Sequence, residues 1–255
     1  MNYVGLSGLL TIGARGQFPW TSPTLVGDVA GGAFLMAYGL ICALLAAKRM
    51  GCGQVVDCAT SDGAPLAGSI LYGMKSRGLL AAPAGHNLLD GGARFYNVYQ
   101  CADQRWLAVG ALEEEFYRQF LIVLGLKNDP DFIDQWNQDK WPILQNRIAN
   151  LFASQSIDHW LKLFEDHDAC CCAVLEMDEA QKHPHHIARG TFFESEGAVQ
   201  PSPAPRFSVT ALPIPRSPSA GSGPRGNSKG VGYFQIVPAD SFSKGPTETG
   251  SFENA

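Results

Sequence analysis

Positive charge is in short supply along this chain. Lys and Arg number 19 against 24 Asp and Glu, a formal net charge of −5. Nothing in that balance draws the protein to nucleic acid or to an anionic membrane. An uninterrupted apolar run is missing too. A bilayer span needs about 18 such residues or more, and the longest stretch, Ala33 to Ala47, is interrupted by Gly39 and followed by Lys48 and Arg49. It reads as a buried helix, and no membrane association is expected. The opening Met1-Asn2-Tyr3-Val4-Gly5 has neither a basic region nor a cleavage site, so no secretory signal is expected. Cysteine is present but unpaired in pattern: seven residues, at 42, 52, 58, 101, 170, 171 and 172. A disulfide framework needs an even set in a secreted setting. Reduced thiols in a cytoplasmic or similarly reducing compartment are expected instead.

Several motifs are also absent. Gly31-Gly32 and Gly91-Gly92 do not make a dinucleotide fingerprint, and there is no P-loop. Cys170-Cys171-Cys172 lacks Cys-x-x-Cys spacing, and neighbours on a strand point to opposite faces. These three read as partly buried structural thiols. Among His183, His185 and His186, Pro184 breaks any regular helical face, so a surface cluster is expected and no metal site.

What is present is a mixed α and β pattern. Asp28 suits a helix N-cap, and Val29 to Arg49 is an Ala-rich run ended by basic residues and Gly51. Gln54 to Cys58 is β-like, and Ser61 to Ser76 predicts a helix. After turn-rich residues 81–92, Tyr96 to Cys101 and Arg105 to Val109 predict a hairpin about Ala102-Asp103-Gln104. Helices are predicted at Glu113 to Leu124, Ile143 to Phe152, Ile157 to Phe164 and Asp178 to Arg189, with a strand at Cys172 to Leu175. From Pro201 the chain is crowded with Pro, Gly and Ser, which predicts disorder. Three regions follow: a helical part at 1–76, a small α+β domain with a mixed sheet at 77–200, and a tail at 201–255.

Three segments carry a resemblance. They are Asn2-Tyr3-Val4-Gly5-Leu6-Ser7-Gly8; Leu25-Val26-Gly27-Asp28 with Gly31-Gly32 and Gly53-Gln54-Val55-Val56-Asp57; and Asn87-Leu88-Leu89-Asp90-Gly91-Gly92-Ala93 with Gly110-Ala111-Leu112-Glu113. Weaker agreement continues at Asp168-Ala169-Cys170, His183-Pro184-His185 and Pro203-Ala204-Pro205. In this order they resemble the α-methylacyl-CoA racemases of the family III CoA-transferase superfamily, over residues 1 to about 210. Arg94 departs from the family's usual proline, and the sequence diverges after Ser208.

The resemblance implies an α/β fold, here a partial one. It places the family's amino-terminal Rossmann-like half, and the catalytic histidine two residues before position 1, outside these 255 residues. It implies inversion at the carbon beside a thioester carbonyl, through an enolate served by acid/base groups on both faces. Asp28 matches the family's catalytic carboxylate, although an Asp before a helix is by itself an ordinary cap. Glu113 matches a glutamate that orients the histidine. Glu113-Glu114-Glu115 would equally suit a solvated first turn at the positive end of a helix. Asn2 and Tyr3 match substrate-contacting positions. A coenzyme A thioester is the implied substrate, with no metal or redox cofactor. The implied partner is a second subunit, either another copy or a full-length chain. The same resemblance leaves open a CoA-transferase using Asp28 as nucleophile, or an inactive chain that only pairs. Relatives occur in cytosol, mitochondria and peroxisomes, and the ending Glu253-Asn254-Ala255 is not a peroxisomal address.

Overall fold

The computed structural model describes residues 1–12, 24–80, 82–195, 197–210 and 212–213. It divides into two compact units, Met1–Ala180 and Gln181–Ala255.

The first unit opens with a short helix α1 (Asn2–Leu6) and a single 3₁₀ turn (Leu9–Thr11). A long helix α2 (Leu25–Met50) follows. Its first part, Leu25–Phe34, is wound as a π-helix and its remainder, Leu35–Met50, as an α-helix. Unbranched apolar residues and alanines favour the helix. Lys48 and Arg49 lie in its last turn, where they oppose the negative dipole end, and Gly51 closes it at φ 75°. The helix begins earlier than the Asp28 cap suggested. Thr24 precedes it, and the amides of Asp28 and Val29 both reach the Thr24 carbonyl, at 3.0 and 3.2 Å. Asp28 is therefore inside the first turn.

The expectation of a buried helix is corrected as well. No residue of Leu35–Met50 is buried. With a mean hydropathy of 2.1, Leu25–Met50 is long and apolar enough to cross a membrane by length and composition, a test that core helices of soluble proteins also pass; only 6% of its most apolar stretch is buried. Among the described residues, α2 makes most of its contacts through its first turns, with α3 (Thr60–Ala67) and α1. There the backbones touch. A β-carbon built on Gly31 would sit 2.6 Å from the Ala64 nitrogen, and one on Gly27 would meet the Val4 side chain. Helix α4 (Ser69–Ser76) follows α3 after a break at Gly68, where the Leu9 side chain fills the space a β-carbon would need. The predicted single helix is thus two. The β-like Gln54 to Cys58 forms no strand, having no partner to pair with among the described residues.

The core lies further along the chain. Strands β1 (Tyr96–Gln100), β2 (Trp106–Gly110) and β3 (Cys171–Val174) form an antiparallel sheet in that order, with Val98 opposite Ala108 and Ala108 opposite Cys172. The hairpin turn is the predicted one, with Gln104 at φ 66°. One sheet face, with Tyr99, Leu107 and Val109, is buried against α5 (Glu114–Val123), α6 (Trp141–Phe152) and α7 (Ile157–Phe164). Aromatic rings dominate this core. Phe120 stacks on Phe164 at 6.3 Å between centroids, and Trp160 stands edge-on to Phe152 at 5.0 Å. Rings of this size bury the most apolar area per side chain and so contribute most to stability. Ser156 caps α7 through its hydroxyl, which accepts from the His159 amide at 3.4 Å.

Helix α8 (Met177–Lys182) and helix α9 (Pro184–Arg189) replace the single predicted helix from Asp178 to Arg189. Pro184 has no amide proton to continue α8 but suits the first turn of α9. In the second unit α9 ends on Gly190 at φ 56°. An unpredicted hairpin follows, β4 (Phe192–Ser195) with β5 (Ala198–Pro201), turning at Gly197 with φ 77°. Of the tail at 201–255, where the sequence predicts disorder, Pro201 ends β5, and residues 211 and 214–255 lie outside the described residues.

Candidate active site

The helix carrying Asn2 and Tyr3 touches the helix carrying Asp28. Val4 of α1 packs against Gly27 of α2, and Tyr3 and Asp28 are the next residues on the two helices. Gly27 lets this happen, since any side chain there would push α1 away. Asn2, Tyr3 and Asp28 are all solvent-exposed. The first turn of α2 also carries the partial positive charge of free backbone amides, which favours an anion or a developing enolate nearby.

Glu113 belongs to another part of the unit. It caps α5 in extended conformation (φ −75°, ψ 147°), its carboxylate makes no capping bond, and it is exposed. Its backbone is better defined than its side chain. The Tyr117 amide bonds the Glu113 carbonyl at 2.9 Å, and Gln135 Nε2 donates to the carbonyls of Ala111 and Leu112 at 3.2 and 2.8 Å.

Between these two places is a cavity of about 880 Å³. Leu25, Val26 and Ala30 of α2 form one wall, and Val98, Ala108 and Cys172 on the outer sheet face form another. Neither carboxylate lines it. Val26 and Ala30 are each two positions from Asp28, which puts Asp28 on the far side of the helix. Glu113 lies three residues beyond the cavity residue Gly110, and its charge reaches Cys170 on the cavity wall. A smaller cavity of about 420 Å³ is lined in part by Tyr72, Lys75, Asn87 and Asp90. Asp90 borders both and is fully engaged, accepting from the Asn87 amide and side chain at 2.7 Å each and from the Gly85 amide at 2.9 Å.

The cysteines differ from their predicted role. Cys170 and Cys172 are exposed and both line the large cavity, whereas Cys171 is half-buried on the other side. Burial pushes the Cys171 thiol far above its ordinary range, with Cys170 and Cys172 adding to the effect. Burial, then Asp168 and Glu113, also raises Cys170. All seven cysteines are free. His183 and His185 are exposed, and no group able to hold a metal occurs among the described residues.

Arg94, flagged by its departure from the family's proline, is wholly buried. Its Nε and Nη2 donate to the Tyr117 hydroxyl at 3.1 and 2.6 Å, and Nη1 and Nη2 to the Gln135 and Asp134 carbonyls at 3.3 and 3.2 Å. The rings of Phe95, Tyr117 and Phe132 lie within 5.4 to 5.7 Å of its guanidinium carbon. Gln135, at the other end of this network, has no motif and escapes sequence reading.

The chain belongs to CoA-transferase family III, whose model matches residues 1–228. It is 40% identical over 207 residues to the human α-methylacyl-CoA racemase, covering 80% of this chain and 54% of the human protein. With the mouse α-methylacyl-CoA racemase it shares 37% over 225 residues, covering 87% of this chain and 59% of that one. A Caenorhabditis elegans CaiB/BaiF CoA-transferase family protein is 26% identical over 209 residues. Among solved structures, a CaiB/BaiF family protein from Brucella suis superposes with a TM-score of 0.64 at 17% identity, over 85% of this chain and 58% of that one. Rv3272 of Mycobacterium tuberculosis gives 0.65 at 16%, over 82% and 55%. At such identities the likeness concerns the fold. The chain spans a little over half the length of the curated relatives it matches.

Proposed function

We propose that the chain takes part in α-proton abstraction and return on 2-methylacyl-CoA thioesters, with Asp28 as the acid/base on one face of the enolate. The observation that supports this is the contact of α1 with α2 at Val4 and Gly27, with Asp28 exposed in the first, amide-rich turn of α2. The likeness to two racemases supports the reaction class. Proton transfer at such a carbon needs no metal or redox group; the coenzyme A ester is substrate, not cofactor. Glu113 has the role of orienting a histidine that a second subunit contributes.

The surface of α2 supports pairing. Phe34, Met36, Tyr38, Ile41, Leu44 and Leu45 are all between 47 and 70% exposed. Phe34, Tyr38, Ile41 and Leu45 share one side of α2 at helical spacing, and an exposed apolar stripe of this kind supports a protein interface. The occupant that fits is another family subunit, a second copy or a full-length chain.

Expressed as residues 1–255 alone, the polypeptide should invert stereochemistry about 10²–10⁴-fold more slowly than a relative with both acid/base groups, the usual contribution of one such group. Solvent deuterium entry at the α-carbon, measured with and without a full-length subunit, tests this; inversion at the full rate by the chain alone would refute it. A second reading has its own support in the exposure of Asp28 and the C. elegans relative. In it, Asp28 attacks the thioester as a CoA-transferase nucleophile, forming an acyl anhydride and releasing the CoA thiolate. Hydroxylamine trapping after exposure to acyl-CoA separates the two, because only the transferase reading leaves a modified Asp28.

A further inference from the structure

We infer that Gln135, locked in place by Arg94, is a positioning residue for Glu113; this rests on the role proposed above for that glutamate. The argument starts from cost. A guanidinium removed entirely from water loses its hydration, and a core of this kind is more often stabilised by apolar residues. Arg94 nonetheless is 0% exposed, and no ion pair offsets its charge among the described residues. Its donors go instead to two places. Two N–H groups hold the hydroxyl of Tyr117, on the first turn of α5, and two hold the backbone carbonyls of Asp134 and Gln135.

Those two places flank Glu113. On one side, Tyr117 bonds the Glu113 carbonyl through its amide and donates its hydroxyl to the Phe132 carbonyl at 3.1 Å. On the other, the Gln135 amide group spends both N–H donors on the carbonyls of Ala111 and Leu112, the two residues immediately before Glu113. Gln135 cannot swing away, because its own carbonyl also accepts from Trp141 Nε1 at 3.0 Å and its side chain is almost fully buried. Arg94 thus fastens the 132–135 loop to α5, and Gln135 fastens that loop to the strand end leading into α5. The segment so clamped from both directions ends in an exposed carboxylate. A purely packing role would need neither a buried charge nor a side-chain amide aimed at two consecutive carbonyls.

The test uses the full chain. Gln135→Leu keeps the bulk and removes both donors; Tyr117→Phe, which keeps the ring, serves where the first variant folds poorly. Amide hydrogen exchange is read at Leu112 and Tyr117, whose amides bond the Gly110 and Glu113 carbonyls, with Leu107 and Ile148 of the core as references. Exchange at Leu112 and Tyr117 should accelerate about 10- to 100-fold, the effect of losing one or two buried hydrogen bonds locally, while the references stay within about threefold. Equal acceleration at all four sites, or none at Leu112 and Tyr117, overturns the assignment.

A second readout asks whether Gln135 acts through Glu113. The chain is paired with a human α-methylacyl-CoA racemase subunit whose matching glutamate is replaced by Gln, and deuterium entry into 2-methylacyl-CoA is followed. Gln135→Leu should lower kcat about tenfold at unchanged KM, and should have no further effect in a Glu113→Gln background. Additive losses would contradict the proposal. Should the unmodified pair show no exchange, the proposed reaction fails, and the amide comparison still decides the role of Gln135.

Discussion

At the scale of single residues, environment separates side chains that composition cannot. Cys171 and Cys172 are neighbours, yet the first is packed toward the core face and the second opens on the cavity. Because the thiolate is the reactive form, a burial-raised Cys171 should be the slower of the two toward a thiol reagent. Mass-spectrometric mapping after brief alkylation at pH 8 should find label on Cys172 well before Cys171; equal labelling would contradict the burial argument. Asp129 is the reverse case. The Arg147 guanidinium, and then the Asp131 amide, hold its carboxyl below the ordinary range. Its contribution to stability is therefore present above its unfolded value and lost as pH falls through the lower folded one. Asp129→Asn should leave Tm unchanged at the acid extreme and lower it slightly at pH 6, a small effect since exposed pairs contribute little. A thermal-melt series from pH 2 to 6 checks the sign.

Elements record how far sequence patterns reach. Where a core backs an apolar period, sequence reading and structure agree: the hairpin at Tyr96 to Val109, α6, and α7 at Ile157–Phe164 lie where the pattern puts them. These contacts are made within residues 93–169, so local sequence and local packing agree. It failed where a partner or a breaker decided. Gln54 to Cys58 has β-formers and no strand to pair with, Gly68 and Pro184 each divide a predicted helix, and α2 is apolar without being covered. Asp28 and Glu113 are singled out by family resemblance, whereas Gln135 and the cavity arise from contacts over 20 or more residues of sequence that no local pattern encodes. The α2–α3 crossing supplies a direct test of element packing. A β-carbon on Gly63 would fall onto the Gly31 carbonyl, so Gly63→Ala should destabilise this part by about 1–3 kcal/mol through overpacking. Local hydrogen exchange in α3 should rise while that of α6 does not. In the core, Phe120→Ala should cost about 3–5 kcal/mol in urea unfolding, since Phe120 is 0% exposed and stacked on Phe164.

For the molecule as a whole, the first unit is unevenly furnished. Residues 93–169 hold an aromatic core, whereas the described residues among 1–80 offer few buried side chains and an apolar helix open to solvent. The acid/base candidate Asp28 lies in the uncovered part. In the proposed reaction its chemistry is one-sided within these residues, because an enolate served by one carboxylate is reprotonated by it from the face that lost the proton. That stereochemical consequence is the account's most direct test. The purified chain is incubated in D₂O with each epimer of a 2-methylacyl-CoA, and deuterium and configuration are read together by NMR. The account predicts slow deuterium entry into one epimer with configuration retained, abolished by Asp28→Asn. Deuterium appearing equally in both epimers, or exchange that survives Asp28→Asn, would contradict it.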